Sequence, residues 1–312
     1  MQCDGTRLFI ERAVVASRAF NVTDQNASWL ADICRRLDGI PLAIELAAAR
    51  TTVLTVQQIA VRLDDCFRLL TGGGRTVLPR HQTLLAAMDW SYSLLSEQER
   101  ALLRRLSVFA GGWTLEAAEG VCAWEGIETH EVLDLLTHLV AKSLVAMEER
   151  DGEARYHLVE TVRQYCRDKL RESGEAGVYE RHRNWFLQLV ERAKPELQGP
   201  DQRHWLNRLE QEHDNLRAAL QWSHSEPGSG EAGLTLVAGL WRFWEVHGYL
   251  IEGRGWLERM LQRTGGQVSD LRASALSGAG ILAYRQGDYV SAAGFYEESL
   301  ALYRQLGNGR GI

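Results

Sequence analysis

The sequence Leu37-Asp-Gly-Ile-Pro-Leu-Ala-Ile-Glu-Leu-Ala-Ala-Ala-Arg50 predicts a sharp, rigid connection between two helices. Upstream of it, apolar residues recur at helical spacing over residues 26–37. Gly39 is expected to end that helix, because a residue without a Cβ readily adopts the left-handed conformation of a C-terminal cap. Pro41 is expected to begin the next helix, where its missing N–H leaves no hydrogen bond unmade. The stretch therefore predicts a helix–turn–helix that presents a proline ring at its turn.

Helical patterns continue on both sides of this stretch. Residues 6–17 predict an amphipathic helix that has nothing before it to pack against, so we expect it to close a larger unit that begins upstream. Thr55 and Gln58 predict a capping box at the start of a further helix, since each side chain can bond the other's free backbone N–H. The glycine-rich segment 71–75, Thr-Gly-Gly-Gly-Arg, then predicts a linker.

Beyond that linker the pattern changes to short helices followed by two strands. Ser96 and Glu99 predict a second capping box. Strands are predicted at residues 143–147 and 155–159, on either side of an Asp-Gly pair that is typical of a hairpin turn. Helices followed by a two-stranded wing indicate a winged-helix domain.

A winged helix can read DNA, contact a partner, or pack inside a larger machine. The helix predicted before the wing carries Glu131 and Asp134 against only His138 and Lys142, which is a poor surface for a phosphate backbone. The net charge of −6 and the pI of about 5.9 also argue against a nucleic-acid-binding protein as a whole. Direct DNA binding by this chain is therefore not expected.

The C-terminal part contains a helical repeat. Residues 279–300 fit the tetratricopeptide pattern of paired helices. Small residues at Gly280 and Ala292 would let the two helices approach closely, and Tyr289 and Tyr296 are expected to fill the gap between them. The pattern predicts an α-solenoid in this part of the chain.

A weaker copy of the repeat lies upstream, where Gly248 takes the place of Gly287 and Gly253 that of Ala292. Residues 223–230, Ser-His-Ser-Glu-Pro-Gly-Ser-Gly, predict a linker before this copy. Since such repeats need roughly three or more units to be stable, we expect the array to continue beyond the last residue.

Composition bounds the class of protein. The 312 residues include only 5 prolines and 24% charged residues, which favours a mainly helical globular chain. The 5 cysteines are widely spaced with no Cys-x-x-Cys pair, so free thiols in a reducing cytoplasm are expected. Neither a signal peptide nor a membrane-spanning stretch is recognisable.

The Gly-x-Pro turn resembles a motif of STAND-class signal-transduction ATPases, the group that includes the NB-ARC switch proteins. In that family the motif lies in a small helical domain after the nucleotide-binding core, and its proline packs against the adenine and ribose of ADP or ATP. The resemblance implies that Gly39, Ile40, Pro41 and Leu42 face a nucleotide. A glycine cap followed by a proline at the first helical position would explain Gly39 and Pro41 without any ligand, and both interpretations stay open.

The winged helix strengthens the resemblance, because in the family it directly follows the Gly-x-Pro domain. Its last helix opens there with a sensor motif, often Met-His-Asp, that contacts the ADP phosphates. The matching positions here are Leu158, Val159 and Glu160. A valine side chain cannot donate a hydrogen bond to phosphate, so that contact departs from the pattern. Glu160 would be the acidic sensor, although an acid in a first helical turn is also favoured by the helix dipole alone.

A phosphate-binding loop is missing from the sequence, which contains no Gly-x-x-x-x-Gly-Lys-Ser/Thr. The resemblance therefore implies an internal piece of a bacterial STAND-type regulator. The nucleotide-binding core would belong to the same full-length protein and lie outside these 312 residues. ADP or ATP is the cofactor expected of the full-length protein, and the piece itself is expected to bind neither tightly. No catalytic or metal-binding residues are assigned, and the chain is not expected to be an enzyme on its own.

The predicted fold class is mainly α: a helical domain plus a winged helix with a short β-hairpin, followed by an α-solenoid of tetratricopeptide-like repeats. The predicted domains are the tail of a nucleotide-binding core (1–20), a small helical Gly-x-Pro domain (21–72), a winged-helix domain (76–176), connecting helices (177–228) and truncated tetratricopeptide-like repeats (229–312).

The function implied by the resemblance is the regulatory part of an ATP/ADP-controlled signalling switch in a bacterial transcriptional regulator. Its repeats would bind a protein partner or effector. The alternative is a free-standing helical-repeat scaffold that binds a protein partner without nucleotide. An independent enzyme is disfavoured, because no nucleophile–base pair, metal-spaced cluster or matched pair of carboxylates stands out.

Overall fold

The computed structural model describes residues 4–18, 20–37, 39–71, 79–150 and 152–309, with the side chains of 36 and 64–83 left out. Within these ranges the chain is mainly helical with one small sheet, as predicted. None of the helices there is both long and apolar enough to cross a membrane. The chain forms two compact units: Met1–Ser107 with Trp113–Glu175, and Val108–Gly112 with Ala176–Ile312. The division into five domains stays a prediction.

The first unit combines helices with a three-stranded sheet. Its helices are α1 (Asp4–Ala16), α2 (Ala27–Arg36), α3 (Pro41–Ala48), α4 (Val56–Thr71), α5 (Pro79–Ser93), α6 (Glu97–Leu106), α7 (Leu115–Cys122), α8 (Val132–Ala141) and α9 (Glu160–Ser173). Short 3-10 helices cover Ala49–Thr52 and Thr129–Glu131. The strands are β1 (Trp113–Thr114), β2 (Ala146–Arg150) and β3 (Glu153–His157). The predicted glycine linker lies mostly outside the described residues, which resume at residue 79.

Local side-chain chemistry sets where several of these helices begin. The Ser96 hydroxyl accepts the N–H of Glu99, and the Glu99 carboxylate accepts the N–H of Ser96 at 2.8 Å, so this capping box is confirmed. Thr55 and Gln58 make the same reciprocal pair of hydrogen bonds before α4. Each cap satisfies backbone N–H groups that a helix start leaves without partners.

The first four helices bury one hydrophobic core. The largest side chains that are at most 1% exposed there are Phe9, Leu30, Ile33, Leu37, Ile44, Ile59 and Leu63. They come from α1, α2, the turn after α2, α3 and α4 at the helical spacing that the sequence showed. Helix α1 therefore packs on α3 within this unit.

The wing is a hairpin whose strands lie nearer to the Asp-Gly pair than predicted. Arg150 pairs with Glu153, and Gly152 before β3 has a φ of +80°. Leu144 and Val145, expected in the first strand, are instead buried in the connection after α8. Leu144 and Val145 thus belong to the hydrophobic core between α8 and β2, and the more polar residues that follow them form the strand.

A third strand was not predicted. Trp113 and Thr114 pair antiparallel with Tyr156 and Arg155, giving the sheet order β1-β3-β2. Two residues are too few to show an alternating pattern, so the sequence carries no signal for this strand.

The second unit is helical within its described residues. Its helices are α10 (Gly177–Glu196), α11 (Gln202–Gln211), α12 (His213–Ser225), α13 (Gly230–His247), α14 (Leu250–Arg263), α15 (Asp270–Arg285) and α16 (Tyr289–Leu306). The predicted linker 223–230 was too long, because Ser223 is buried in α12 and donates its hydroxyl to the carbonyl of Ala219. Only residues 226–229 connect the two helices.

The segment Val108–Gly112 belongs to the second unit and is held there by one buried side chain. The Asn215 carbonyl oxygen accepts the Ala110 N–H at 2.7 Å, and its amide nitrogen donates to the Gly112 carbonyl at 2.8 Å. Asn215 is 0% exposed, so it supplies the hydrogen bonds that a buried, irregular backbone needs.

The helical hairpins α13/α14 and α15/α16 follow the predicted repeat. Gly248 and Gly287 end the first helix of each pair, and both have a φ of +79°. A Cβ added to Gly280 would lie 2.8 Å from the Tyr296 ring, which confirms the predicted close approach. The expectation for Tyr289 was wrong: it is 64% exposed and meets Tyr284 in an edge contact.

Gly253→Ala is expected to destabilise the second unit by about 1–3 kcal/mol, the usual cost of overpacking a full core. A Cβ there would lie 2.6 Å from the Trp244 ring, which is only 1% exposed and cannot move aside. The control is Gly294→Ala on α16, where nothing lies within 4 Å of the added Cβ. This control should stabilise by about 0.5–1 kcal/mol through helix propensity. Urea unfolding of both variants measures the difference, and equal shifts would contradict the close approach.

Candidate functional site

The Gly-x-Pro turn has the predicted backbone. Gly39 has a φ of +66° and donates its N–H to the Cys34 carbonyl at 3.2 Å, while the Ile40 N–H bonds the Leu37 carbonyl at 2.9 Å. Pro41 is the first residue of α3. These hydrogen bonds close the end of α2, so the turn is fixed by its own backbone.

The four predicted nucleotide-facing residues divide into two kinds. Gly39 and Pro41 are exposed, whereas Ile40 and Leu42 are half-buried. Ile40 packs against the core of the helical domain. Behind them, most of α3 is buried, with Ala43, Ile44, Leu46, Ala47 and Ala48 inside. The proline ring is therefore held at the surface on a rigid, buried helix, and such a ring can pack against a flat ligand.

The predicted sensor positions lie at the start of α9. Leu158 is 8% exposed, Val159 is 45% exposed, and Glu160 is exposed as the first helical residue. Both Glu160 carboxylate oxygens accept hydrogen bonds from Arg163 at 2.8 Å. No hydrogen bond or ion pair among the described residues joins Glu160 to residues 39–42. The contacts recorded for Glu160 are thus those of a first-turn acid.

A buried arginine follows the Gly-x-Pro helix. Arg50 lies in the 3-10 turn directly after α3 and is only 3% exposed. Its Nη2 donates to the Ser91 carbonyl on α5 at 3.2 Å. Burial lowers the pKa of Arg50 to about 10, while the nearby charge of Glu99 opposes that shift, so the group stays charged at neutral pH. The helix that presents Pro41 is thereby tied to α5 within the first unit.

Glu99 forms the other half of this charge network. It is 5% exposed and accepts a hydrogen bond from the Lys142 ammonium, which follows α8. His138 Nδ1 lies 3.5 Å from the same carboxylate oxygen. Burial raises the pKa of Glu99, but the hydrogen bonds from Lys142 and from the Ser96 N–H outweigh it, so the net pKa lies below the ordinary value. Glu99 therefore engages the Lys142 ammonium at the end of α8.

Sequence reasoning found only part of this network. Glu99 was recognised as a capping residue and Lys142 as a surface charge, while Arg50 was only the end of the quoted stretch. A single arginine after an alanine-rich helix can be recognised as buried only when the group that accepts its hydrogen bond is known. That partner, the Ser91 carbonyl, lies 41 residues away.

The surface of α8 and the wing has little positive charge. Leu133, Asp134 and His138 are exposed on α8, and Glu148, Glu149 and Arg150 are exposed on β2. Lys142 is engaged by Glu99. DNA phosphates are bound by lysine and arginine, and this surface is mainly acidic and neutral.

Metal chemistry has no candidate in the described part of the chain, where no three His, Cys, Asp or Glu side chains come together in a group that could hold an ion.

The family comparison agrees with the fold of the first unit. Residues 95–171 match the family model described as "Winged helix-turn-helix domain". This range runs from the residue before the α6 cap into α9 and includes the sheet. The chain thus contains a winged helix-turn-helix domain.

Relatives occur in mycobacteria. A protein of Mycobacterium tuberculosis named "Putative HTH-type transcriptional regulator" is 44% identical over 259 residues, which is 83% of this chain and 29% of that relative. An "Uncharacterized protein" of the same organism is 46% identical over 187 residues, which is 59% of this chain and 48% of that relative. The chain therefore spans less than half the length of either relative.

Among solved structures, a STAND protein with a tetratricopeptide repeat sensor from Pyrococcus horikoshii aligns with 97% of this chain and 54% of its own. The TM-score is 0.38 and the identity 14%, a likeness too low to support an argument.

Glu99→Gln is expected to lower the free energy of unfolding by about 1–3 kcal/mol at pH 7. Glutamine keeps the capping box but removes the charge that pairs with Lys142. The wild-type carboxylate has a folded pKa below its ordinary 4.5, so its contribution is present above pH 4.5 and is lost as the pH falls through the folded pKa. The loss in free energy of unfolding caused by Glu99→Gln should therefore become smaller as the pH falls below 4.5.

The matched control is Glu97→Gln on the same helix, whose carboxylate is 73% exposed and should matter little. Chemical unfolding at several pH values measures both variants. A Glu99→Gln deficit that is independent of pH would contradict the charge network.

Proposed function

We propose that this chain is the regulatory part of a STAND-type, ATP/ADP-controlled switch in bacterial transcriptional control. The observation that carries the proposal is buried Arg50, which ties the Gly-x-Pro helix to α5 and lies in the field of Glu99 in the winged helix. The first relative reported above, named an HTH-type transcriptional regulator, supports the regulatory role. The nucleotide is inferred from the resemblance of the motif order.

The Gly-x-Pro turn would be the nucleotide contact of this chain. Exposed Pro41 can lie against an adenine or ribose while half-buried Ile40 and Leu42 keep the turn in place. The phosphates and metal would be bound by a nucleotide-binding core in cis. The chain would accordingly hold ADP or ATP only weakly alone and hydrolyse neither. Glu160 would approach the phosphates only if Arg163 released it, which gives it a secondary place in the proposal.

Coupling would run along α3 into the winged helix. Helix α3 is largely buried, so a displacement at Pro41 cannot be absorbed by bending into solvent. At its far end Arg50 bonds the Ser91 carbonyl and lies in the field of Glu99, which in turn holds Lys142. A nucleotide-dependent shift of the turn would therefore change the packing of α5, α6 and α8 together.

The repeats would bind a protein partner or effector. In the two hairpins, Ile251 and Val290 are the second residues of α14 and α16, and they are 85% and 87% exposed. These apolar side chains occupy equivalent positions in successive hairpins and would give the repeats a recurring apolar point of contact. The same observation favours the alternative function, a free-standing scaffold that binds a protein without nucleotide. We also propose a cytoplasmic location, in keeping with Cys34, Cys122 and Cys166, which are buried and form no disulfide among the described residues.

Whether the native protein retains a bound nucleotide can be tested directly. An antibody raised to this chain should detect a band much larger than 35.1 kDa, and the immunopurified protein should release ADP on denaturation. Pro41→Ala at the native locus should weaken nucleotide retention about tenfold, equivalent to ~1.4 kcal/mol of lost packing. Pro227→Ala, in an exposed loop of the second unit, is the control and should change nothing.

Two outcomes would overturn the switch. A native band of 35.1 kDa without nucleotide would favour the scaffold. Measurable ATP turnover by the purified 312-residue chain would make it an enzyme in its own right.

The winged helix is proposed to act inside the switch and not as a DNA reader. Binding to a labelled DNA duplex of mixed sequence can be measured by fluorescence anisotropy. The expected Kd is about 10⁻⁴ M or weaker at physiological salt, which is the weakest typical of non-specific DNA binding. Glu148→Lys with Glu149→Lys should tighten binding, because the wing would then attract phosphate. Sub-micromolar binding by the unchanged chain would contradict this assignment.

A further inference from the structure

An open cavity of about 630 Å³ lies in the first unit at the far end of α3 from the Gly-x-Pro turn. It is lined by the end of the segment after α1, the loop before α2, the 3-10 turn 49–52 and the start of α4. Since α3 has 8 residues, its two ends are roughly 12 Å apart. The cavity is therefore separate from the turn to which the proposed function assigns nucleotide.

The lining of this cavity is uncharged. Its 15 residues include no Asp, Glu, Lys, Arg or His, in a chain of which 24% is charged. An ionic ligand would gain no counter-ion from these side chains. A phosphate or carboxylate ligand is therefore a poor match for the cavity, and so is an ammonium group.

Hydroxyl and amide side chains dominate the polar part of the lining. Asn26 accepts the Thr23 N–H and donates to the Asn21 carbonyl, and Gln58 caps α4, so these amides form a fixed frame. The exposed amides of Gln25 and Gln57 are used by no hydrogen bond among the described residues. An amide side chain can both donate and accept, so each can bond a ligand hydroxyl in either sense.

Two aromatic rings complete the lining. Trp29 and Phe20 are half-buried and pack against the core of the helical domain, with Phe20 6.3 Å from the buried ring of Phe9. Each ring is thus held from behind and keeps part of its surface toward the cavity. Aromatic faces carry partial negative charge and attract the weakly positive C–H groups of a ligand.

We propose that this cavity binds a neutral carbohydrate. A sugar has hydroxyls on every edge and apolar C–H faces, which match free amides and hydroxyls beside aromatic rings. The volume lies within the range of roughly 300–1,000 Å³ typical of small-molecule sites. The site goes beyond the proposed nucleotide switch and does not depend on it.

The test is a titration of the isotopically labelled 312-residue chain, followed by backbone amide chemical shifts. Matched probes separate charge from shape: glucose against glucuronate, and N-acetylglucosamine against glucosamine, with galactose and maltose as further neutral sugars. At least one neutral sugar is expected to shift amides of the lining, such as those of Thr23, Gln25 and Gln57. The charged counterparts should shift them far less.

Variants locate the binding. Gln25→Ala and Gln57→Ala remove exposed side chains, so the fold should be kept while each weakens sugar binding about fivefold, the value of one hydrogen bond. Trp29→Leu keeps an apolar side chain against the core and removes the ring, and it should weaken binding further. Gln221→Ala, on exposed α12 surface in the second unit, is the control and should leave the affinity unchanged.

Three results would overturn the proposal: no shift with any neutral sugar, equal shifts with the charged counterparts, or shifts at the lining with adenosine alone. The last would make the cavity a nucleoside site. Because no assay here depends on retained ADP, failure of the nucleotide switch would leave this test intact, and the reverse also holds.

Discussion

A guanidinium group that is 3% exposed is tolerated only where oxygen atoms replace its water, and Arg50 imposes that requirement on the first unit. The Ser91 carbonyl on α5 meets part of it, and the charge of Glu99 on α6 adds electrostatic support. Because Arg50 directly follows α3, the helix that begins with Pro41 cannot shift without disturbing these partners. Helices α3, α5 and α6 are thus linked through buried Arg50 and Glu99.

The same network shapes the surface of the winged helix. Glu99 takes the ammonium of Lys142, which would otherwise be available beside α8. On strand β2 of the wing, exposed Arg150 stands beside exposed Glu148 and Glu149, so the net charge of that strand is not positive. The interior thereby supports the proposal that this winged helix acts inside a switch.

The second unit depends on a different constraint, the closeness of its helices. Glycines stand where large rings pack: Gly253 meets Trp244, Gly278 meets Trp241 and Gly280 meets Tyr296. In each case the ring occupies the space of a Cβ, so the helices approach closely and bury the aromatic carbon. Short turns with a left-handed glycine then set the pairing of each hairpin.

Features that depend on neighbouring residues were determined by the sequence itself. The cap at Gly39, the start of α3 at Pro41 and the capping box of Ser96 with Glu99 need only groups within about one helical turn. The helical periodicity and the repeat were visible for the same reason. Tertiary structure alone decided the short strand of Trp113 and Thr114, the partner of Arg50 and the uncharged cavity, since each joins segments far apart in the chain. Local hydrogen bonding leaves a pattern in adjacent residues, whereas a buried charge or a shared cavity is set by which distant surfaces pack together.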